Sequence, residues 1–387
     1  IEAAMRLGIE RVPTICLRDM SEADIRAYVI ADNRLAENAG WDDGLLAVEF
    51  QYLSDLDVEF DLTLTGFELP EIDFTIQQIT LPGSDTPEDD AVPAVRRDHI
   101  VSRAGDVWCI GPHRLICGDA RNQKSYDRLL EDEKAHLIFS DPPYNVPVNG
   151  HIVGGGRHRH EEFAMASGEM TSPEFTKFLQ VVFERLAGNS HDGSIHYQCM
   201  DWRHLDEILE AGRAAYSELK NLCVWSKTNG GMGSLYRSQH ELVFVFKSGS
   251  GPHTNNVELG KNGRNRTNIW NYPGANTFGE GQSALAMHPT VKPVALIRDA
   301  IMDCSHRGQI VLDPFCGSGS TLVAAEETGR IGRGIEFDPA YCDVTVRRMA
   351  ETLSFTAVHE ETGREFAELG DERAAGKASD ELEGATA

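Results

Sequence analysis

Two short stretches of the chain combine residue types that could act on a bound ligand. The first is Asp141-Pro142-Pro143-Tyr144, directly after the apolar run at residues 136–140. Prolines fix φ and leave carbonyls that accept hydrogen bonds, with no N–H that donates. Asp141 adds a carboxylate and Tyr144 a flat aromatic face. That set suits an exocyclic amino group on an aromatic ring. Accepting its hydrogens frees the nitrogen lone pair for attack, and stacking on Tyr144 would hold a base turned out of a duplex. The second stretch is Asp313-Pro314-Phe315-Cys316-Gly317-Ser318-Gly319-Ser320-Thr321, between an apolar run at 309–313 and a helical pattern at 322–328. Its glycines let the backbone turn and approach a ligand, and the helix that follows offers free N–H groups. Glu336 ends the next strand pattern, 17 residues after Gly319. An acid there is placed to bind two ribose hydroxyls. The Gly-Lys-Ser/Thr ending of a phosphate loop and the third glycine of a dinucleotide fingerprint are both missing, which points to an adenosine cofactor without pyrophosphate.

These motifs need elements to carry them. From about residue 99 to 356, strand and helix patterns alternate, and residues 222–226 and 241–247 (ELVFVFK) read as further strands. Alternation of this kind implies an α/β sheet with helices on both faces. Residues 1–75 read as mainly helical, with Ser21 and Asp24 as a capping-box-like start and a second apolar period over 45–56. Residues 76–98 hold Pro82, Pro87 and Pro93 among acids, and read as an acidic linker. Residues 357–387 read as an acidic flexible tail.

Composition narrows the setting. Of 387 residues, 41% are hydrophobic, which is ordinary for a folded chain. No apolar run approaches the roughly 18 residues of a membrane span. The eight cysteines include no C-x-x-C pair, so free thiols in a reducing cytoplasm are expected. The first residue is Ile1 within a helix-like stretch, as expected of a segment of a longer protein, and no secretion signal opens the sequence. The formal charge of −25 argues at first against nucleic acid. By segment, however, residues 1–98 carry −15, residues 99–350 only −3, and residues 351–387 −7. Within the middle, residues 220–298 carry +6.

Together the two motifs make the chain similar to the β class of amino-group DNA methyltransferases. Gly118-Asp119 with Ala120, the W-x-K…H-E-L-V-F-V-F-K stretch around Trp225, Lys227, His240 and Glu241, and His288-Pro289-Thr290-Val291-Lys292-Pro293 resemble further elements of that family. The resemblance covers residues 99–350 and implies a Rossmann-like S-adenosylmethionine-dependent sheet. It also implies cofactor contacts from Asp119 and Ala120, from Asp313 through Gly319, from Thr321 and from Glu336. Lys292 would meet the methionine carboxylate. Asp141, Pro142, Pro143 and Tyr144 would be catalytic, double-stranded DNA the partner, and a homodimer the assembly. Residues 7–13, 31–35 and 38–41 resemble the end of a ParB-like domain, so a partial one is expected at the N-terminus. An Asp-led tetrapeptide leans to adenine N6, with cytosine N4 as the alternative. None of the 16 prolines precedes a cysteine, so carbon-5 methylation lacks its nucleophile and Cys316 reads as packing under the loop.

The basic positions remain. Arg157 and Arg159, in a loop with His151, His158 and His160, read as phosphate contacts and not as a metal site. Lys227, Lys261, Arg264 and Arg266 read as DNA contacts within a target-recognition region at 220–290. A cofactor-sensing DNA-binding regulator and a NAD-linked oxidoreductase are the competing readings. Neither needs an amino-group acceptor at Asp141.

Overall fold

The computed structural model describes residues 21, 25, 41–55, 62–80, 90–146, 168–228, 230, 235–260, 264–274 and 291–374. The chain divides into two compact units, Ile1–Val58 and Glu59–Ala387. In the first unit, helix α1 (Asp43–Asp55) covers most of the stretch read as helical over 45–56, but Leu45, Val48 and Tyr52 of that apolar period are exposed and Ala47 and Phe50 are buried instead. The helix expected from Ser21 lies outside the described residues, apart from Ser21 and Ile25.

The second unit is built on one sheet of β1 (Val107–Ile110), β2 (His113–Cys117), β3 (Ala135–Ser140), β4 (Ser190–Met200), β5 (Glu218–Ser226), β6 (His240–Lys247), β7 (Ile269–Asn271), β8 (Ile310–Asp313), β9 (Ile331–Glu336) and β10 (Ala357–His359). Their spatial order is β10-β1-β2-β9-β8-β3-β4-β6-β5-β7. The run β2-β9-β8-β3-β4 is parallel throughout. Strand β6 returns antiparallel to both β4 and β5, so the start of β6 and the end of β5 share an edge with the ends of the parallel strands.

Alternation along the strands feeds two apolar layers, because successive side chains point to opposite faces. Leu137 and Phe139 join one layer with helices α6 (Val294–Cys304), α7 (Ser320–Glu327) and α8 (Pro339–Leu353). Ile138 joins the other with α3 (Gln123–Leu130), α4 (Ser172–Gly188) and α5 (Leu205–Ala215). The expected α/β sheet with helices on both faces is therefore present.

Two boundaries differ from the sequence reading. The division expected at residue 75 falls inside helix α2 (Leu69–Thr80), which packs with the sheet unit through buried Ile72 and Ile76. Asp73 on α2 meets Arg330 in two parallel contacts, at 3.0 and 2.5 Å. At the far end of the acidic linker, Asp90 accepts the Val294 N–H at the start of α6 (2.9 Å), and Arg97 pairs with Asp338 at 2.9 Å. The tail expected to be flexible from 357 is instead ordered through 374. Strand β10 pairs with β1, residues 366–374 are helical, and Arg373 donates to Asp106 at 2.5 Å. Acidic composition misled here because apolar residues such as Leu369 find a buried place beside Val101 in the first layer.

The Arg330 side chain is fully buried and also donates to the carbonyls of Thr328 and Ser305. Removing one partner of such a pair leaves an uncompensated buried charge. Asp73→Ala should cost about 3–5 kcal/mol of stability in urea unfolding. The double change Asp73→Leu/Arg330→Met should lie much nearer the parent.

Candidate active site

Parallel pairing delivers the chemistry-bearing residues to one edge. Strands β3 and β8 are neighbours, so Asp141–Tyr144 and Asp313–Thr321 leave the sheet side by side. The connection from β3 leads toward β4 and that from β8 toward β9, on opposite sides of the pair. This is the switch point at which open α/β sheets bind ligands. Strand β9 brings Glu336 to the same edge, and β2, paired Cys117 to Glu336, brings Gly118, Asp119 and Ala120.

The glycine loop is braced from below. Thr321 Oγ1 donates to Asp313 Oδ2 at 2.5 Å and the Phe315 N–H donates to Asp313 Oδ1 at 2.9 Å, tying strand to helix. Burial pushes the Asp313 carboxyl up to about 7. Asp313 and Thr321 thus shape the loop. Gly319 caps α7 with φ +85°, and a Cβ there would lie 2.7 Å from Thr345 Cγ2. Cys316 is buried against Gly334, whose absent Cβ would stand 2.8 Å from its sulfur. That matches packing under the loop, and all seven described cysteines are free.

Glu336 accepts the N–H of Gly317 at 2.7 Å and of Asp338 at 2.8 Å. Burial outweighs those two bonds and raises its carboxyl to about 7. Asp119 is held by Arg121 in a fork with contacts of 2.7 to 3.1 Å, while Tyr126 donates to the Ala120 carbonyl at 2.7 Å.

The Asp141 loop carries a half-buried ionic chain centred on the buried Lys292. Tyr144 OH donates to Asp141 Oδ1 at 2.6 Å, and Lys292 Nζ donates to Asp141 Oδ2 at 2.7 Å. Lys292 also meets Glu241 Oε2 at 2.8 Å, and Lys227 closes the chain on Glu241 Oε1. Lys227 lies 4.4 Å from the Trp225 ring centre, a cation–π contact. Burial pushes Asp141 up, against the opposing pull of Lys292. Burial acts on Glu241 in the same direction, but Lys292 and Lys227 prevail and hold it at about 2. Tyr144 is raised well above its ordinary range by burial and the two carboxylates.

Several expectations change here. Lys292 was expected on a methionine carboxylate, yet its ammonium already sits between Asp141 and Glu241. Lys227 was expected on DNA and instead pairs with Glu241. Arg264 and Arg266, also expected on DNA, are buried or half-buried on α6: Arg264 Nη2 lies 2.6 Å from Asp303, and Arg266 lies 3.0 Å from Asp299 and 3.1 Å from Asp303. The +6 window ended at residue 298 and so excluded both acids. Arg157, Arg159 and Lys261 lie outside the described residues. The region 220–290 contains most of β5 and all of β6 and β7. Glu241 was missed as a site residue, although an acid leading an otherwise apolar strand was its signal. Asn145 was also missed: at φ 51° it donates to the Met170 carbonyl at 2.8 Å and fixes the exit from the tetrapeptide.

Comparison with known proteins decides the family. A family model described as DNA methylase, for N6 and N4 methylation, matches residues 135–347, more than half of the chain. The chain belongs to this DNA methylase family. A second model, the ParB-methyltransferase HTH domain, matches residues 44–104, which takes in α1 and α2 of the methylase. The type II methyltransferase M.HpaI of Haemophilus parainfluenzae is 24% identical over 268 residues, covering 65% of this methylase and 79% of its own length. YubD of Escherichia coli (strain K12) is 26% identical over 214 residues, covering 55% and 81%. The solved M1.HpyAVI–SAM complex has 20% identity and a TM-score of 0.45, covering 61% of this methylase and 98% of that chain. No helix among the described residues is long and apolar enough to cross a membrane.

Because Gly319 combines a positive φ with contact against Thr345, Gly319→Ala in the methylase should lose about 1–3 kcal/mol of stability. Thermal melting measures it. Gly363→Ala, also at positive φ but with nothing near its missing Cβ, should lose less.

Proposed function

We propose that this methylase transfers a methyl group from S-adenosylmethionine to the N6 amino group of adenine in duplex DNA. The observation that carries the reading is the shared edge: a half-buried carboxylate on an Asp-Pro-Pro-Tyr turn beside a glycine loop and a strand-end acid. The residues suit the cofactor. Gly317, at φ +54°, leaves nearly open space where a side chain would stand, and Glu336 is a half-buried carboxylate with oxygens fit to accept ribose hydroxyls. The free N–H groups at the start of α7 add a positive rim. The cofactor supplies, when bound, a methyl on a sulfonium that departs as a neutral thioether once the amino nitrogen takes the methyl.

The protein's part is positioning and charge. Asp141 and the Pro142 carbonyl accept the two amino hydrogens, which localises the nitrogen lone pair. As the nitrogen becomes cationic, Asp141 is the acceptor for the proton it sheds, and burial makes that carboxylate more basic than usual. Tyr144, anchored through its hydroxyl, offers its ring for stacking. Asp at the head of the tetrapeptide supports adenine over cytosine.

Incubation with duplex DNA and methyl-labelled cofactor, followed by digestion to nucleosides, tests this. Label is expected in N6-methyl-2′-deoxyadenosine, and Asp141→Ala should abolish it while retaining binding of the neutral product S-adenosylhomocysteine. Label in N4-methylcytosine would reassign the base, and no label on diverse DNA would overturn the reading.

The Glu336 carboxyl adds a pH dependence. Ribose hydroxyls donate to the ionised form, and the free carboxyl titrates at about 7. Binding therefore costs a deprotonation below that pH. Cofactor affinity should fall by up to about ten-fold per pH unit below 7, and Glu336→Gln should bind weakly with a flat profile. Calorimetric titration from pH 8 to 5.5 checks both.

A further inference from the structure

The ionic chain behind Asp141 has a feature that the transfer reaction alone does not explain. Two ammoniums and two carboxylates alternate as Lys227, Glu241, Lys292, Asp141, and they sum to zero charge. Lys292 is 5% exposed at its side chain, so water compensates little of its charge. Glu241 stands one ammonium away from Asp141, accepts the Tyr144 hydroxyl at 3.1 Å, and needs no contact with substrate. Lys227 is pinned in turn over Trp225, whose indole N–H donates to the Tyr272 carbonyl at 3.0 Å. A chain fixed at both ends sets where the Lys292 ammonium lies, on Asp141 Oδ2, while the Tyr144 hydroxyl takes Oδ1.

We propose that Glu241 is a positioning residue that holds Lys292 against Asp141 and keeps this four-residue chain neutral, so that the Asp141 turn admits a cationic sulfonium ligand. The inference rests on the cofactor reading above. Without the Glu241 carboxylate the chain carries a net positive charge beside the place where a sulfonium must lie. With the Lys227 ammonium removed instead, it carries a net negative charge. Two unit charges roughly 10 Å apart at an effective dielectric near 20 correspond to about a ten-fold change in affinity.

The test compares binding of S-adenosylmethionine, which is cationic at sulfur, with S-adenosylhomocysteine, which is neutral there. In Glu241→Gln, affinity for S-adenosylmethionine should fall about ten-fold while that for S-adenosylhomocysteine changes less than about two-fold. Lys227→Met should shift the ratio the opposite way, and the double change Lys227→Met/Glu241→Gln, neutral again, should return it toward the parent. A structural lesion would weaken both ligands together. Equal losses for both ligands, the same direction in the two single variants, or an unrescued double variant would each overturn the proposal. A parent protein that binds neither ligand would overturn the cofactor reading itself.

Discussion

The parallel pairing of β3 with β8 is the constraint on which the site depends. Parallel neighbours end at the same edge, so the turn after each strand emerges beside the other without further design. Strands β9 and β2 extend the arrangement by two more turns, which gives Glu336 and Asp119 their places. A one-residue slip of β3 would exchange Leu137 and Phe139 with Ile138 between layers. The two apolar layers thus fix the register, and the register fixes how far Asp141 projects beyond the sheet.

On that frame the energetics of the site are electrostatic. Asp141, Glu241, Asp313 and Glu336 are carboxyls taken out of water at one edge, which is costly unless each finds partners. They do so in different ways. Asp313 closes its own loop, Glu336 takes two backbone N–H groups, and Asp141 and Glu241 share Lys292. The same burial that demands these partners raises Asp141, Asp313 and Glu336, and only Glu241, with two ammoniums, is pulled down.

Local patterns made the centre of the protein legible from sequence. Apolar runs leading into Asp141 and Asp313, and an acid ending the strand after the glycine loop, are short-range signals, and the strands lie where those runs are. Long-range pairing was not legible. Arg264 and Arg266 look like free base readers until α6 brings Asp299 and Asp303 against them, more than thirty residues on. Asp73 and Arg330 stand 257 residues apart, so nothing near Asp73 announces that its helix belongs to the sheet unit. Lys292 lies against Asp141 and Glu241, partners that come from the end of β3 and from β6, so this contact could not be read from its own motif. The segment after 357 failed for a related reason. Its charge suggested a tail, while its pairing with β1 depends on a strand at the opposite end of the domain.

On the proposed reading, one sheet edge holds the adenosine end of the cofactor at Glu336 and its reactive end toward Asp141. A crystal structure of the protein with S-adenosylmethionine bound tests it most directly. The account predicts ribose hydroxyls within hydrogen-bond distance of the Glu336 carboxylate, and the sulfonium methyl facing the Asp141–Tyr144 turn. A cofactor seated away from β8 and β9, or one with its methyl turned from Asp141, would contradict it.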